Sequence, residues 1–137
     1  LESLADELNV RSRIHFAGAI AEAYRIFPAF DVFCLSSRTE GTPIALLEAM
    51  NARVPVVATR VGGVPDVLSN SDGWLVDRVD PIAIAESLED ACREVELRLR
   101  RAESAHSVVR SRFSIGPWVD RYLEVYFRVA AESIGSR

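Results

Sequence analysis

Lysine is missing from this chain of 137 residues: every one of its 16 basic side chains is an arginine. Schiff-base chemistry and a lysine charge on a phosphate are therefore excluded from these residues. Cysteine is nearly absent too. Cys34 and Cys92 stand far apart, without C-x-x-C or Cys/His spacing, so no disulfide framework or zinc site is indicated. Cys34 lies in an apolar run and reads as a small core residue, Cys92 as a helix position. No apolar run approaches the roughly 20 residues that span a bilayer, and no signal peptide is recognisable. There is no Asp-x-Asp and no histidine cluster, so no metal site is expected. His15 reads as a core or edge-strand residue and His106 as a surface helix residue. No G-x-G-x-x-G occurs, hence no case for a nicotinamide cofactor, and no Ser, Cys and His residues suggest a nucleophilic triad. Acids outnumber bases, 20 to 16, for a net charge of -4, which argues against a nucleic-acid partner.

What remains is the profile of one globular domain, 49% hydrophobic and 26% charged, long enough to bury a core. Apolar runs of strand length alternate with helical periodicities. Helices are predicted at the start of the chain to about Asn9, over 21–27 up to Pro28, from Thr42 to about Ala52, and over 65–68. Strands are predicted over 14–17, 31–35, 54–58 and 73–76, and everything from Pro81 reads as helix, with breaks at 111–114 and near Arg101. Strands alternating with helices imply a parallel, Rossmann-like α/β sheet with helices on both faces. The continuous apolar run at 31–35 fits a strand covered on both sides.

One segment concentrates the chemistry: Glu40-Gly41-Thr42-Pro43-Ile44-Ala45-Leu46-Leu47-Glu48-Ala49-Met50. Thr42 is a good N-cap and Pro43 suits the first helical position, where a missing N–H costs nothing. Glu40 then falls in the loop before the helix and Glu48 in its second turn. The free amides of Ile44 and Ala45 would form an anion site at the positive helix end. Gly62-Gly63 forms a second loop after the next strand. Both loops fall at the carboxyl edge of a parallel sheet, where such folds bind ligands.

This segment resembles the E-x7-E signature of the retaining glycosyltransferases of family 4, which have the two-domain GT-B fold. Pro55-Val56-Val57-Ala58-Thr59, Val61-Gly62-Gly63-Val64-Pro65-Asp66, Gly73-Trp74-Leu75-Val76 and Asp80-Pro81 follow in that family's order. Arg13-Ile14-His15-Phe16-Ala17-Gly18 and Phe30-Asp31-Val32-Phe33-Cys34-Leu35-Ser36-Ser37 fit upstream, so the likeness covers nearly the whole chain. It implies that residues 1–137 are part of a C-terminal nucleotide-sugar-binding domain. The acceptor-binding domain and the first strand–loop, with the family's arginine and lysine for the leaving diphosphate, would lie outside this sequence.

On that resemblance the parent enzyme moves a sugar from a nucleotide-diphospho-sugar to an acceptor hydroxyl with retention, in polysaccharide or glycoconjugate synthesis. Glu40 is the catalytic-site residue beside the transferred sugar. Glu48 takes the ribose, and Gly41, Thr42, Ile44, Ala45, Gly18, Gly62 and Gly63 line the donor. No cofactor and no metal are expected. The expected partners are the donor and the acceptor domain of the same parent chain. The expected location is the cytoplasm, with peripheral association at the inner membrane face. Each residue also has a purely structural reading: Glu40 as a loop acid at a helix start, Glu48 as a solvated helix glutamate, and the glycines as turn residues. The rival functions are a non-catalytic nucleotide-sugar-binding domain and a GT-B epimerase. Two departures stand out. Arg53 occupies the glycine of the family's A-x-G-x-P turn, where φ > 0 is expected, and Ser36 replaces a common proline. Trp118, Tyr122 and Tyr126 recur at i, i+4 and i+8. Such a stripe is ordinarily core, while the resemblance implies that part of it is an interdomain contact.

Overall fold

The computed structural model describes residues 1–77 and 79–135. Helix α1 (Glu2–Glu7) leads through three single 3₁₀ turns, Arg11–Arg13, Ala23–Arg25 and Phe27–Ala29, into strand β1 (Phe33–Leu35). Helix α2 (Ile44–Asn51), strand β2 (Val56–Thr59), helix α3 (Val64–Val67) and strand β3 (Trp74–Val76) follow. The chain ends in α4 (Pro81–Arg93), α5 (Val95–Val108), a π-helical turn (Val109–Phe113) and α6 (Ile115–Gly135).

The strands form one parallel sheet in the order β1-β2-β3. Its register pairs Cys34 with Val57 and Ala58 with Leu75. Side chains alternate across a strand, so β2 feeds two cores. Val56 and Ala58 pack with Leu46, Ala49 and Met50 of α2 and with Val64 and Val67 of α3. Val57 faces the other way, against Trp74, Val76 and Ala91 of α4. All four β2 positions are buried, as a strand sandwiched between helical layers requires. Asp80 starts α4 by accepting from the Ile82 amide at 3.2 Å, with Pro81 at the first helical position.

Several expectations need correction. Residues 14–17 form no ladder among the described residues, and His15 is an exposed loop residue. A strand needs a pairing partner, and apolar alternation cannot supply one. The helix predicted over 21–27 is two 3₁₀ turns, because Glu22 takes φ 54° and breaks the ladder; Pro28 sits inside the second turn. The predicted 31–35 strand shortens to β1: Phe33 and Leu35 pack on one core and Val32, just before it, on the other, while Cys34 is exposed on this edge strand. The late break comes at Glu94, between α4 and α5, and Arg101 lies mid-helix with its guanidinium 4.3 Å from the Trp74 ring centre. The π-helical turn Val109–Phe113 and the extended Ser114 after it overlap the break expected at 111–114. Ser111 Oγ donates to the Ser107 carbonyl at 2.9 Å and Ser114 Oγ to that of Arg110 at 2.7 Å, competing with the helical ladder. His106 is buried, and its Nδ1 donates to the Asn51 carbonyl at 2.8 Å, since a carbonyl can only accept. Trp118, Tyr122 and Tyr126 are all exposed along α6.

Arg53 does take the left-handed conformation, φ 58°. Its amide bonds the Met50 carbonyl at 3.1 Å and that of Val54 bonds Ala49 at 3.0 Å, the paired closure of a Schellman motif that ends α2. The side chain is held by Glu103 of α5 at 2.7 Å, and this hydrogen bond keeps the Glu103 carboxyl below its ordinary pKa.

Candidate functional site at the carboxyl edge of the sheet

Parallel strands deliver their following loops to one edge, and here two such loops interlock. Residues 36–43 follow β1 and residues 60–63 follow β2. Gly62 lies at φ 50°, and a Cβ on it would come 1.8 Å from the Glu40 carbonyl oxygen; one on Gly63 would come 2.3 Å from that of Gly41. The Gly63 amide points at the Glu40 carbonyl, 3.4 Å away. The second glycine loop thus has a reason independent of any ligand: only residues without Cβ atoms let the two backbones pack this closely.

A second connection runs through side chains. Thr59, at the end of β2, is 1% exposed and donates its hydroxyl to the Ser37 carbonyl at 2.6 Å. Ser37 Oγ in turn donates to Glu40 Oε1 at 2.5 Å, the short distance of a bond to a carboxylate. Glu40 is half-buried, and no further bond to its carboxylate is made among the described residues. One carboxylate oxygen is therefore held while the other can accept from a ligand hydroxyl. Neither Ser37 nor Thr59 is among the expected site residues. Their signal was weak but present: a hydroxyl at or just beyond the carboxyl end of each of two neighbouring apolar strands.

The helix start differs by one residue from expectation. Pro43, at φ -77° and ψ 95°, is the N-cap, and its carbonyl accepts from Leu46 at 3.1 Å and Leu47 at 3.2 Å. Thr42 is exposed, and no side chain caps the helix. Pro43 itself takes an extended ψ rather than a helical one, so the helix starts at Ile44 and Thr42 stands one residue ahead of the capping position. The amides of Ile44 and Ala45 remain without an intrachain acceptor among the described residues, as a helix N-terminus leaves them. Ile44, Glu48 and Asn51 share the face of α2 opposite the buried Leu46, Ala49 and Met50. Glu48 is half-buried where two grooves meet. One, of about 470 Å³, is lined with Asn51, Arg110 and Ser114; the other, of about 520 Å³, with Tyr24 and Arg25. Glu40 lines neither, so the two glutamates occupy separate parts of an open edge.

Gly41 has open space around it, unlike Gly62 and Gly63. Gly18 takes φ 66° in the exposed loop before the first 3₁₀ pair, and no hydrogen bond ties it to either interlocked loop among the described residues. No group of three or more His, Cys, Asp or Glu side chains that could hold a metal occurs among the described residues. None of the described helices is long and apolar enough to cross a membrane.

The model of the glycosyl transferases group 1 family matches residues 1–108. The chain is 32% identical over 133 residues to the lipopolysaccharide core biosynthesis glycosyltransferase LpsD of Rhizobium meliloti (strain 1021), covering 96% of this chain and 39% of that protein. It is 30% identical over 127 residues to N-acetyl-alpha-D-glucosaminyl L-malate synthase of Bacillus anthracis, covering 92% of this chain and 33% of that one. It therefore spans well under half the length of these relatives. Among solved structures, sucrose-phosphate synthase of Thermosynechococcus elongatus superposes with a TM-score of 0.84 at 25% identity, over 96% of this chain and 34% of that one. HepE of Anabaena, solved in complex with UDP-glucose, shares the fold at a TM-score of 0.78 and 20% identity, over 99% of this chain and 36% of that one.

Proposed function

Because this chain belongs to the glycosyl transferases group 1 family, we propose that it is the donor-binding part of a retaining glycosyltransferase. The parent enzyme would take a nucleotide-diphospho-sugar and pass the sugar to an acceptor hydroxyl of a polysaccharide or glycoconjugate. One observation carries this reading most directly: a carboxylate held by Ser37 stands in the loop that leads into a helix whose first two amides lack intrachain acceptors. That arrangement suits a ligand with sugar hydroxyls at one end and phosphates at the other.

In the proposed division of labour, the free oxygen of Glu40 accepts from a sugar hydroxyl and holds the ring beside the bond that breaks. The departing diphosphate gains charge, which the Ile44 and Ala45 amides stabilise as fixed donors. Glu48 accepts from the two ribose hydroxyls. Gly41 offers backbone without a Cβ, so the sugar can approach. The basic group for the diphosphate and the acceptor site would come from other parts of the parent protein. No metal is assigned to the chemistry.

Two substitutions in the full-length protein test the assignment. Glu48→Gln should mainly weaken donor binding, because ribose contacts are similar in ground and transition states. Glu40→Gln should mainly lower kcat, by about tenfold or more, because it acts at the reacting centre. Steady-state kinetics with donor and acceptor varied separately read both; unchanged kcat and KM in both variants would make the pair structural and sink the proposal.

A further inference from the structure

The proposed role of Glu40 needs its carboxylate in one place, and on this open edge nothing on α2 supplies that. We infer that Thr59 is a positioning residue for Glu40, acting through Ser37, so that the end of β2 sets the geometry of the acid that follows β1. The inference rests on the reading of Glu40 as the sugar-holding residue.

Proton accounting gives the chain one direction. A carbonyl oxygen only accepts, so the 2.6 Å contact between Thr59 Oγ1 and the Ser37 carbonyl uses the threonine proton. An ionised carboxylate also only accepts, so Ser37 Oγ donates to Glu40 Oε1. Thr59 has one proton and two carbonyls near it; the Leu35 carbonyl, at 3.4 Å, is the weaker claimant. The Thr59 bond therefore pins the backbone of Ser37, and the Ser37 side chain pins Glu40.

Backbone packing supports the same connection. Gly62 and Gly63 lie against the carbonyls of Glu40 and Gly41, so residues 59–63 touch the Glu40 loop at three successive points. Thr59 is 1% exposed and sits on the central strand, buried at every position. Its hydroxyl is thus anchored on a strand buried at every position, while Glu40 stands in a loop. Sites built on strands are held more accurately than sites built on loops alone, and this bond transfers that accuracy across the edge.

The test uses the full-length protein, four single variants and one double variant. Thr59→Val keeps the shape and removes the hydroxyl; Thr59→Ser keeps the hydroxyl and removes the methyl. Ser37→Ala removes the second bond from a half-buried position and serves if Thr59→Val fails to fold. Glu40→Gln reports on the premise. Thr59→Val and Ser37→Ala should each lower kcat by about tenfold, as a small misplacement of a positioned group does. The Kd for the free nucleoside diphosphate should stay within about twofold, because that ligand lacks the sugar. Thr59→Ser should recover most of kcat, and Thr59→Val combined with Ser37→Ala should fall no further than Ser37→Ala alone. If Glu40→Gln lowers kcat but Ser37→Ala does not, the positioning inference is wrong and the reading of Glu40 stands. Equal losses in Thr59→Val and Thr59→Ser would assign Thr59 to packing and overturn it as well. If Glu40→Gln leaves kcat unchanged, both fall together.

Discussion

Arg53 spends backbone energy that a glycine would not. At φ 58° it closes α2, a position where a side chain costs about 1 kcal/mol. Its pair with Glu103 is exposed and screened by solvent, so it offsets little of that. Arg53→Gly should therefore stabilise the chain by up to about 1 kcal/mol, read by urea denaturation, and Glu103→Gln should then have no further effect. A loss of stability in Arg53→Gly would mean the ion pair outweighs the strain. The glycines make a sharper contrast. Gly62→Ala should cost more than about 2 kcal/mol, because the new Cβ meets the Glu40 carbonyl and the backbone is left-handed. Gly41→Ala meets nothing within 4 Å and should leave stability within about 0.5 kcal/mol. If Gly41 serves donor approach, Gly41→Ala lowers donor affinity in the full-length protein while leaving its melting temperature unchanged; unaltered affinity would make it a plain turn residue.

Helix α5 is tied to the sheet by a buried acid rather than by apolar contact alone. Asp72, 6% exposed, accepts from Ser104 of α5 at 2.6 Å and from Ser69 and Ser71 in its own loop. Burial alone would raise its carboxyl, but the hydrogen bonds from Ser104, Ser69 and Ser71 outweigh burial and hold it below the ordinary 3.8. A pKa lower in the folded state means the unfolded chain binds the proton more readily. The stabilisation is then present above the unfolded value and is lost as pH falls through the folded one. Stability should drop on acidification below about pH 4, and Asp72→Asn should remove part of that slope; parallel curves for the two proteins would show that Asp72 does not contribute. At the other end of the sheet, Thr42→Ala should change stability by less than about 0.5 kcal/mol, because Pro43 and not Thr42 caps α2. A loss near 1 kcal/mol would restore threonine as the cap.

Taken whole, the chain is a layered sheet with one finished edge and several unfinished surfaces. β1 leaves Cys34 exposed, and α6 shows Trp118, Tyr122, Tyr126 and Phe127 to solvent. A chain spanning 39% of LpsD and 33% of the N-acetyl-alpha-D-glucosaminyl L-malate synthase is a part of what those relatives contain. Under the proposed function, residues 1–137 expressed alone should bind a nucleoside diphosphate weakly and transfer no sugar. Calorimetry and a donor-consumption assay check the two halves of that statement. Turnover by this chain alone would show that no basic group or acceptor site from outside these residues is required.

Order and spacing along the chain were enough to read the alternation of β1, α2, β2, α3 and β3 and the place of the Glu40 loop at a carboxyl edge. These depend on local rules, apolar runs of strand length and proline at a helix start, whereas the left-handed turn at Arg53 was implied by the family resemblance. What the line of residues could not reveal is decided by neighbours distant in sequence. Residues 14–17 have strand composition but no ladder partner among the described residues, and His106 looks like a surface residue until Asn51 lies over it. Cys34 looks like core until the sheet places it, exposed, on an edge strand. The connection from Thr59 through Ser37 to Glu40 belongs to this second kind. Its hydroxyls sit 22 and 3 residues from their acceptors, and only the parallel pairing of β1 with β2 brings the longer of those spans to hydrogen-bonding distance.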